Sequence, residues 1–303
     1  MNQFTIRDIE NLCGIKAHTL RIWEQRYKLF VPKRKESRHR IYDNEDLKEL
    51  LRISYLYHHG YKVSKIADMS CEEIRCAVSS SCGSNDDHDL VIHQLIEASI
   101  DFDKERFDKI INSLVIRIGL EKAILYVFYP FLQRIGLLWM TNNVIPAQEH
   151  FCSHIIRKKI ICAIDGLDMH STKPANGPVV LIFSPTGEFH EIPLLAANYF
   201  LKKNNIRTIY FGVNLSLDCL CDYLQNHDAD YIFTHIITHM KDCDIFHYLE
   251  NISGRFPSKK IFVAGAACNC TKDLPDNIKH FCSPAQLIEY ITSASRSSSR
   301  LLV

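Results

Sequence analysis

Nowhere in the 303 residues does an apolar run approach the roughly 18 residues that a membrane-spanning helix needs, and the N-terminus lacks the pattern of a secretory signal. These two absences exclude a helical membrane protein and lead us to expect a cytoplasmic protein with no membrane partner. Net charge is nearly missing as well. Against 36 Lys and Arg stand 35 Asp and Glu, a balance of +1, so any nucleic-acid surface must be a local concentration of charge. Cysteine is plentiful, at 12, but the paired two-residue gaps of a zinc site are absent. The closest pairs are Cys219-Leu-Cys221 and Cys268-Asn-Cys270; the first sits on a helical pattern, where residues two apart do not share a face. The thiols therefore read as reduced, buried apolar side chains. No acid–base pair or activated nucleophile stands out, so no enzyme is expected.

Local concentration of charge is what the first 78 residues provide. Ile6, Ile9 and Leu12, then Leu20, Trp23 and Tyr27, recur every three or four residues on two short helical patterns, with Gly14 supplying the turn between them. From Lys16 to Arg40 the chain holds nine Lys or Arg against two Asp or Glu. On the second helix Lys16, His18, Thr19, Arg21 and Arg26 are candidates to face a DNA groove, where guanine and phosphate offer acceptors to arginine. Arg38, His39, Arg40 and Tyr42 would follow as a wing along the backbone.

The run Thr19-Leu20-Arg21-Ile22-Trp23-Glu24, with Pro32, then Arg38-His39-Arg40-Ile41-Tyr42, Asp46-Leu47, Gly60-Tyr61-Lys62-Val63 and Ile66, resembles the winged helix-turn-helix of MerR-family regulators in order and spacing. The resemblance covers about a quarter of the chain. It implies double-stranded promoter DNA as a partner and a homo-oligomer, at least a dimer, on a two-fold related site.

Beyond this head, Asn44 is placed to cap a helix that Gly60 ends, and residues 64–78 read as one further helix. Residues 79–87, rich in Ser, Gly and Asp, read as a linker. Residues 88–170 carry four amphipathic patterns (88–99, 103–117, 120–141 and 146–168), which predict a four-helix bundle with Pro130 kinking the third helix and Pro146 opening the fourth. Over 175–295 short β-rich runs at 179–183, 208–211, 231–233 and 260–263 alternate with helices, which predicts an α/β flavodoxin-like parallel sheet domain, followed by a tail at 296–303. The expected protein is thus multidomain: an all-α winged helix-turn-helix, a bundle and a sheet. Ligands of such sheets gather at the carboxyl ends of the strands.

The first strand runs directly into Ser184-Pro-Thr-Gly187-Glu188-Phe-His190, which puts His190 in a loop at that edge. A carboxylate two residues upstream can accept a hydrogen bond from one imidazole nitrogen and raise the basicity of the other toward a metal. Glu188-Phe189-His190 resembles the motif of the cobalamin-binding domain shared by corrinoid enzymes and the light- or cobalamin-responsive branch of MerR regulators. The resemblance implies His190 as lower axial ligand of cobalt, with Gly187, Glu188, Thr234, Thr238, Gly265 and Ala266 around the cofactor. Trp139, followed after nine residues by Glu149-His150, resembles the signature of the bundle that covers the upper face of cobalamin in CarH/LitR-type regulators. It implies adenosylcobalamin as the cofactor and Trp139, Glu149 and His150 as its upper contacts.

Three positions depart from that pattern. Pro193 stands where a glycine is common, Ala266 replaces one of two paired glycines, and Met140 stands where photoreceptor members carry a histidine. A thioether is a soft donor poorly matched to Co(III), which argues against the photochemical version of the mechanism. Two alternatives stay open on the sequence: the same architecture with the cofactor lost, sensing another small molecule or a partner protein, and a corrinoid carrier or methyl-transfer subunit.

Overall fold

The computed structural model describes residues 3–30, 32–34, 40–80, 88–140, 146–170, 177–237, 245–266, 268 and 274–299. They fall into two compact units, residues 1–155 and 156–303. Among the described residues no helix is long and apolar enough to cross a membrane.

The first unit opens with α1 (Ile6–Cys13) and α2 (Ala17–Tyr27), joined through Gly14 at φ 67°, a left-handed turn that glycine adopts without strain. Thr5 and Asp8 close a reciprocal capping box on α1. Strands β1 (Lys33–Arg34) and β2 (Arg40–Ile41) pair antiparallel as the base of a wing, followed by α3 (Asn44–His58), α4 (Val63–Ala67) and α5 (Cys71–Ser80). Ile9, Leu12, Leu20, Trp23, Leu47, Leu50 and Leu51 make the core of the head. The Ser54 hydroxyl donates to the Cys13 carbonyl at 2.6 Å and fixes the end of α1 against α3.

Two expectations are corrected here. The cap of α3 is Asp43, whose carboxylate accepts from the amides of Glu45 and Asp46, and Asn44 is already the first helical residue. Residues 64–78 form two helices instead of one. Ser70 and Glu73 make a further capping box that starts α5 afresh, with Ser70 N donating to Glu73 Oε2 at 2.7 Å and Glu73 N to Ser70 Oγ at 3.3 Å.

The bundle helices follow: α6 (His88–Ile100), α7 (Lys104–Ile118), α8 (Leu120–Ala123), a π-helical turn over Ile124–Phe128, α9 (Tyr129–Met140) and α10 (Pro146–His170), which crosses from the first unit into the second. The π turn is how the helix accommodates Pro130, which lacks an N–H and crowds the carbonyl four residues back. Ten of the 13 residues of α6 are buried, because α3 packs on it as well as α7 and α9.

In the second unit β3 (Val179–Pro185), β4 (Arg207–Leu215), β5 (Tyr231–His235), β6 (Lys260–Ala264) and β7 (Ile278–His280) form a parallel sheet in the order β4-β3-β5-β6-β7. The helices between them are α11 (Glu191–Lys203), α12 (Leu217–Asn226), α13 (Ile245–Arg255) and α14 (Pro284–Ser299). Along β3, Val180 and Ile182 pack with Leu194, Leu201 and Ile291 on one face, while Leu181 and Phe183 pack with Leu220, Leu249 and Ile252 on the other. Burial on both faces explains the unbroken apolar run of this strand. The strand order reverses at β3, so the crevice between the ends of β3 and β5 is the position where a doubly wound sheet holds a ligand.

Asp43→Ala should lower stability to urea by about 1 kcal/mol through loss of the cap. Asn44→Ala should change it by no more than a few tenths, and equal losses in the two variants would return the cap to Asn44.

Candidate functional site

Two sets of functional side chains emerge, one in each unit. On α2, His18, Arg21 and Arg26 are exposed, as is Lys16 just before it, and Thr19 is half-buried, while Leu20 and Trp23 turn inward, where Trp23 meets Tyr57 edge to face at 4.9 Å. The apolar spacing of the helix thus leaves a basic outer face. Arg40 is differently placed from the others: its Nε donates to Glu24 Oε2 at 2.6 Å, with the arginine side chain 20% exposed, so it ties the wing base to α2. Tyr42, expected in the wing along the DNA backbone, belongs instead to the core. It is fully buried, paired with Phe4 through two backbone hydrogen bonds of 2.8 and 2.9 Å, and lies against Phe30, because β2 continues inward past Ile41. Arg38 and His39 lie outside the described residues.

In the second unit the chain leaves β3 at Ser184-Pro185 and turns through Gly187 at φ 88°. Glu188, fully buried, organises the loop. Its Oε1 accepts from the backbone amide of His190 at 2.9 Å and meets His190 Nδ1 at 2.6 Å, and its Oε2 accepts from the Ile237 amide at 2.8 Å, in the loop after β5. A carboxylate can only accept from that ring nitrogen, so the proton of a neutral His190 sits on Nδ1 and the lone pair on Nε2. The His190 side chain is 52% exposed.

Several partners of this loop carried no signal in the sequence. Register shifts between β3 and β4 add a bulge that brings Asn214, at φ 59°, under the turn. There its Oδ1 accepts from Gly187 N at 3.0 Å and its own amide donates to the Glu188 carbonyl at 3.2 Å. Glu191, next to His190, is braced by the Arg157 guanidinium of α10 and by the Tyr210 hydroxyl at 3.1 Å. Burial, with Glu191 beside it, lifts the Tyr210 phenol well above its ordinary range, so this hydroxyl donates. Burial likewise pushes His235 down to about 4 and keeps it neutral.

At the crevice itself Ser184 Oγ donates to the His235 carbonyl at 2.8 Å, whereas the fully buried Thr234 hydroxyl has no hydrogen-bond partner among the described residues. Gly265 ends β6 at φ 107°, where a Cβ would lie 2.1 Å from the Ile236 carbonyl oxygen; Ala266 follows it, exposed. The loops after β5 and β6 therefore meet backbone to backbone. Thr238 lies outside the described residues. In the first unit Glu149 and His150 stand in the first turn of α10, with His150 Nδ1 3.2 Å from Glu149 Oε2. Trp139 stands in the last turn of α9, its side chain outside the described part.

With this geometry in hand, comparison with known proteins is decisive. Residues 4–72 match the MerR HTH family regulatory protein model, and residues 91–162 match the B12 binding domain model. The chain is a MerR-type regulator with a B12-binding domain. It is 23% identical over 215 residues to the HTH-type transcriptional repressor CarH of Myxococcus xanthus, covering 69% of this chain and 70% of that protein. It is 28% identical over 222 residues to the HTH-type transcriptional repressor CarA of the same organism, covering 69% and 68%. Both relatives are repressors, in keeping with a regulator and not an enzyme. Among solved structures, the monomethylamine corrinoid protein of Methanosarcina barkeri superposes with a TM-score of 0.52 at 10% identity, covering 67% of this chain and 93% of that one. That likeness supports the helical and flavodoxin-like parts of the regulator's fold.

Gly265→Ala should cost the regulator about 2 kcal/mol or more in urea unfolding, since both the positive φ and the Ile236 carbonyl oppose a methyl group. Gly166→Ala, in α10 with nothing within 4 Å of its Cβ, should leave stability unchanged or raise it slightly. Equal effects at the two positions would contradict the close approach of the strand-end loops.

Proposed function

We propose that this regulator holds adenosylcobalamin through His190 and that the bound cofactor sets the oligomer that presents paired heads to a promoter. The observation that carries the reading is the Glu188–His190 pair: a buried carboxylate on Nδ1 directs the Nε2 lone pair outward from a half-exposed ring. The residues present suit the group. The cobalt of cobalamin would take an imidazole nitrogen as a donor, and the Thr234 hydroxyl, without a hydrogen-bond partner among the described residues, supports a polar group entering the crevice at the strand ends. When bound, cobalamin would supply a cobalt centre with an exchangeable ligand.

The protein's own groups do the rest. Glu188 orients the imidazole and fixes the proton of its neutral form on Nδ1, Asn214 and Ile237 hold Glu188, and the backbone at Gly265 keeps the neighbouring loop close. By likeness to CarH/LitR-type regulators, Trp139, Glu149 and His150 would contact the cofactor as well. A ligand alters DNA binding only through a preference for one assembly over another, and here the assembly is a homo-oligomer whose heads read operator DNA. Lys16, His18, Thr19, Arg21 and Arg26 would meet the groove, with Arg38, His39 and Arg40 along the backbone. The protein works in the cytoplasm in this reading.

Gel filtration of the purified protein after incubation with adenosylcobalamin, read by absorbance, tests the sensor. The wild type should retain the corrinoid, His190→Ala should lose it, and Glu188→Gln should weaken it by about 10- to 100-fold. Unaltered retention and spectrum in His190→Ala would reject the axial role. For the head, Arg21→Ala should weaken operator binding by about 1–3 kcal/mol if it reads a base, or flatten the salt dependence by about one if it meets phosphate. Neither change would remove Arg21 from the interface.

A further inference from the structure

The way the DNA-reading head is fastened to the bundle is the feature that the function above leaves unused. Helix α3 of the head lies on α6, and two rungs of opposite charge cross between them. Lys48 Nζ lies 2.6 Å from Asp101 Oδ1, and Arg52 Nη2 lies 2.9 Å from Glu97 Oε2. On each side the charged residues are four apart in sequence, one helical turn, and the pairs run antiparallel, 48 with 101 and 52 with 97. Arg106, at the start of α7, donates to the same Glu97 oxygen at 2.8 Å. The Glu97 side chain is 6% exposed and that of Lys48 is 9% exposed, so these are charges withdrawn from water.

A ladder of this kind adds little net stability compared with an apolar contact, because desolvation offsets most of the attraction. What it fixes is register. A slip of one turn would set Lys48 against Glu97 and part Arg52 from its carboxylate, leaving buried charge uncompensated. Hydrophobic contacts alone tolerate such a slip far better, so the ladder selects one placement of α3 on the bundle. An open cleft of about 430 Å³ lies beside it, lined among others by Tyr55, Arg75 and His93.

We propose that this ladder is the joint through which the state of the bundle reaches the DNA, with Glu97 as the positioning residue that holds the head as a rigid extension of α6. The inference rests on the sensor reading above for the nature of the signal, but not for the existence of the joint.

The test uses the full-length protein and two variants, Glu97→Gln and Lys48→Met, with Lys104→Met as a control that breaks only an exposed pair with Asp108 on α7. Two readouts are taken: hydrogen exchange of the α3 amides without ligand, and the ratio of operator affinities with and without adenosylcobalamin in the dark. In both joint variants the α3 amides should exchange at least tenfold faster as a group, and the affinity ratio should collapse to within twofold of one. Corrinoid retention and ligand-free operator affinity should stay within threefold of wild type, which general misfolding would not allow. The control should match wild type in all respects. Wild-type exchange at α3 in both joint variants overturns the joint, and a wild-type affinity ratio in both overturns its role in signalling. If the wild type itself retains no corrinoid, the sensor reading fails, and the joint is decided by exchange alone.

Discussion

Glu188 is a carboxylate without contact to water at the end of a parallel strand, and such a group is tolerated only if its oxygens are occupied. One oxygen takes the amide and the ring of His190, the other the amide of Ile237. That single requirement of satisfaction joins the loops after β3 and β5 across the switch point of the sheet. It fixes the tautomer of the histidine, and it selects which nitrogen faces outward. The bulge in β4 delivers Asn214 to the Gly187 amide and the Glu188 carbonyl, and the glycine after β6 lets that loop approach the Ile236 backbone beside the Ile237 amide.

The first unit handles buried charge by the same logic in a different setting. Glu97 lies on a helix buried on most of its surface, and its carboxylate is paired with arginines from two neighbouring helices. Burial works against the charge on Lys48, and the Asp101 and Glu45 carboxylates overcome it, holding its pKa above the usual lysine value. In one unit a buried carboxylate orients a candidate ligand. In the other it orients a DNA-binding head.

Much of this was legible in the chain. Spacing of apolar residues located the helices of the head and bundle, and four of the five strands announced themselves as short β-rich runs between helical segments. The fifth, Ile278–His280, is three residues long and too short for any alternation to register. Residues 64–78 read as one helix because helical period persists across the break, while the box formed by Ser70 and Glu73 is a local contest that periodicity does not resolve. Tyr42 was misjudged for a related reason. It follows a run of basic wing residues, and only the pairing with Phe4, 38 positions earlier, turns it inward.

By itself the sequence determined the class of each element, the basic face of α2 and the adjacency of Glu188 and His190, because these depend on residue type and on spacings of a few residues. Tertiary structure decided which groups share a carboxylate: Ile237 on Glu188, Arg157 and Tyr210 on Glu191, Arg52 and Arg106 on Glu97. The physical reason is that hydrogen bonds and ion pairs between distant segments leave no periodic trace. They arise where strands and helices are packed close enough to exclude water, and burial then makes a partner obligatory.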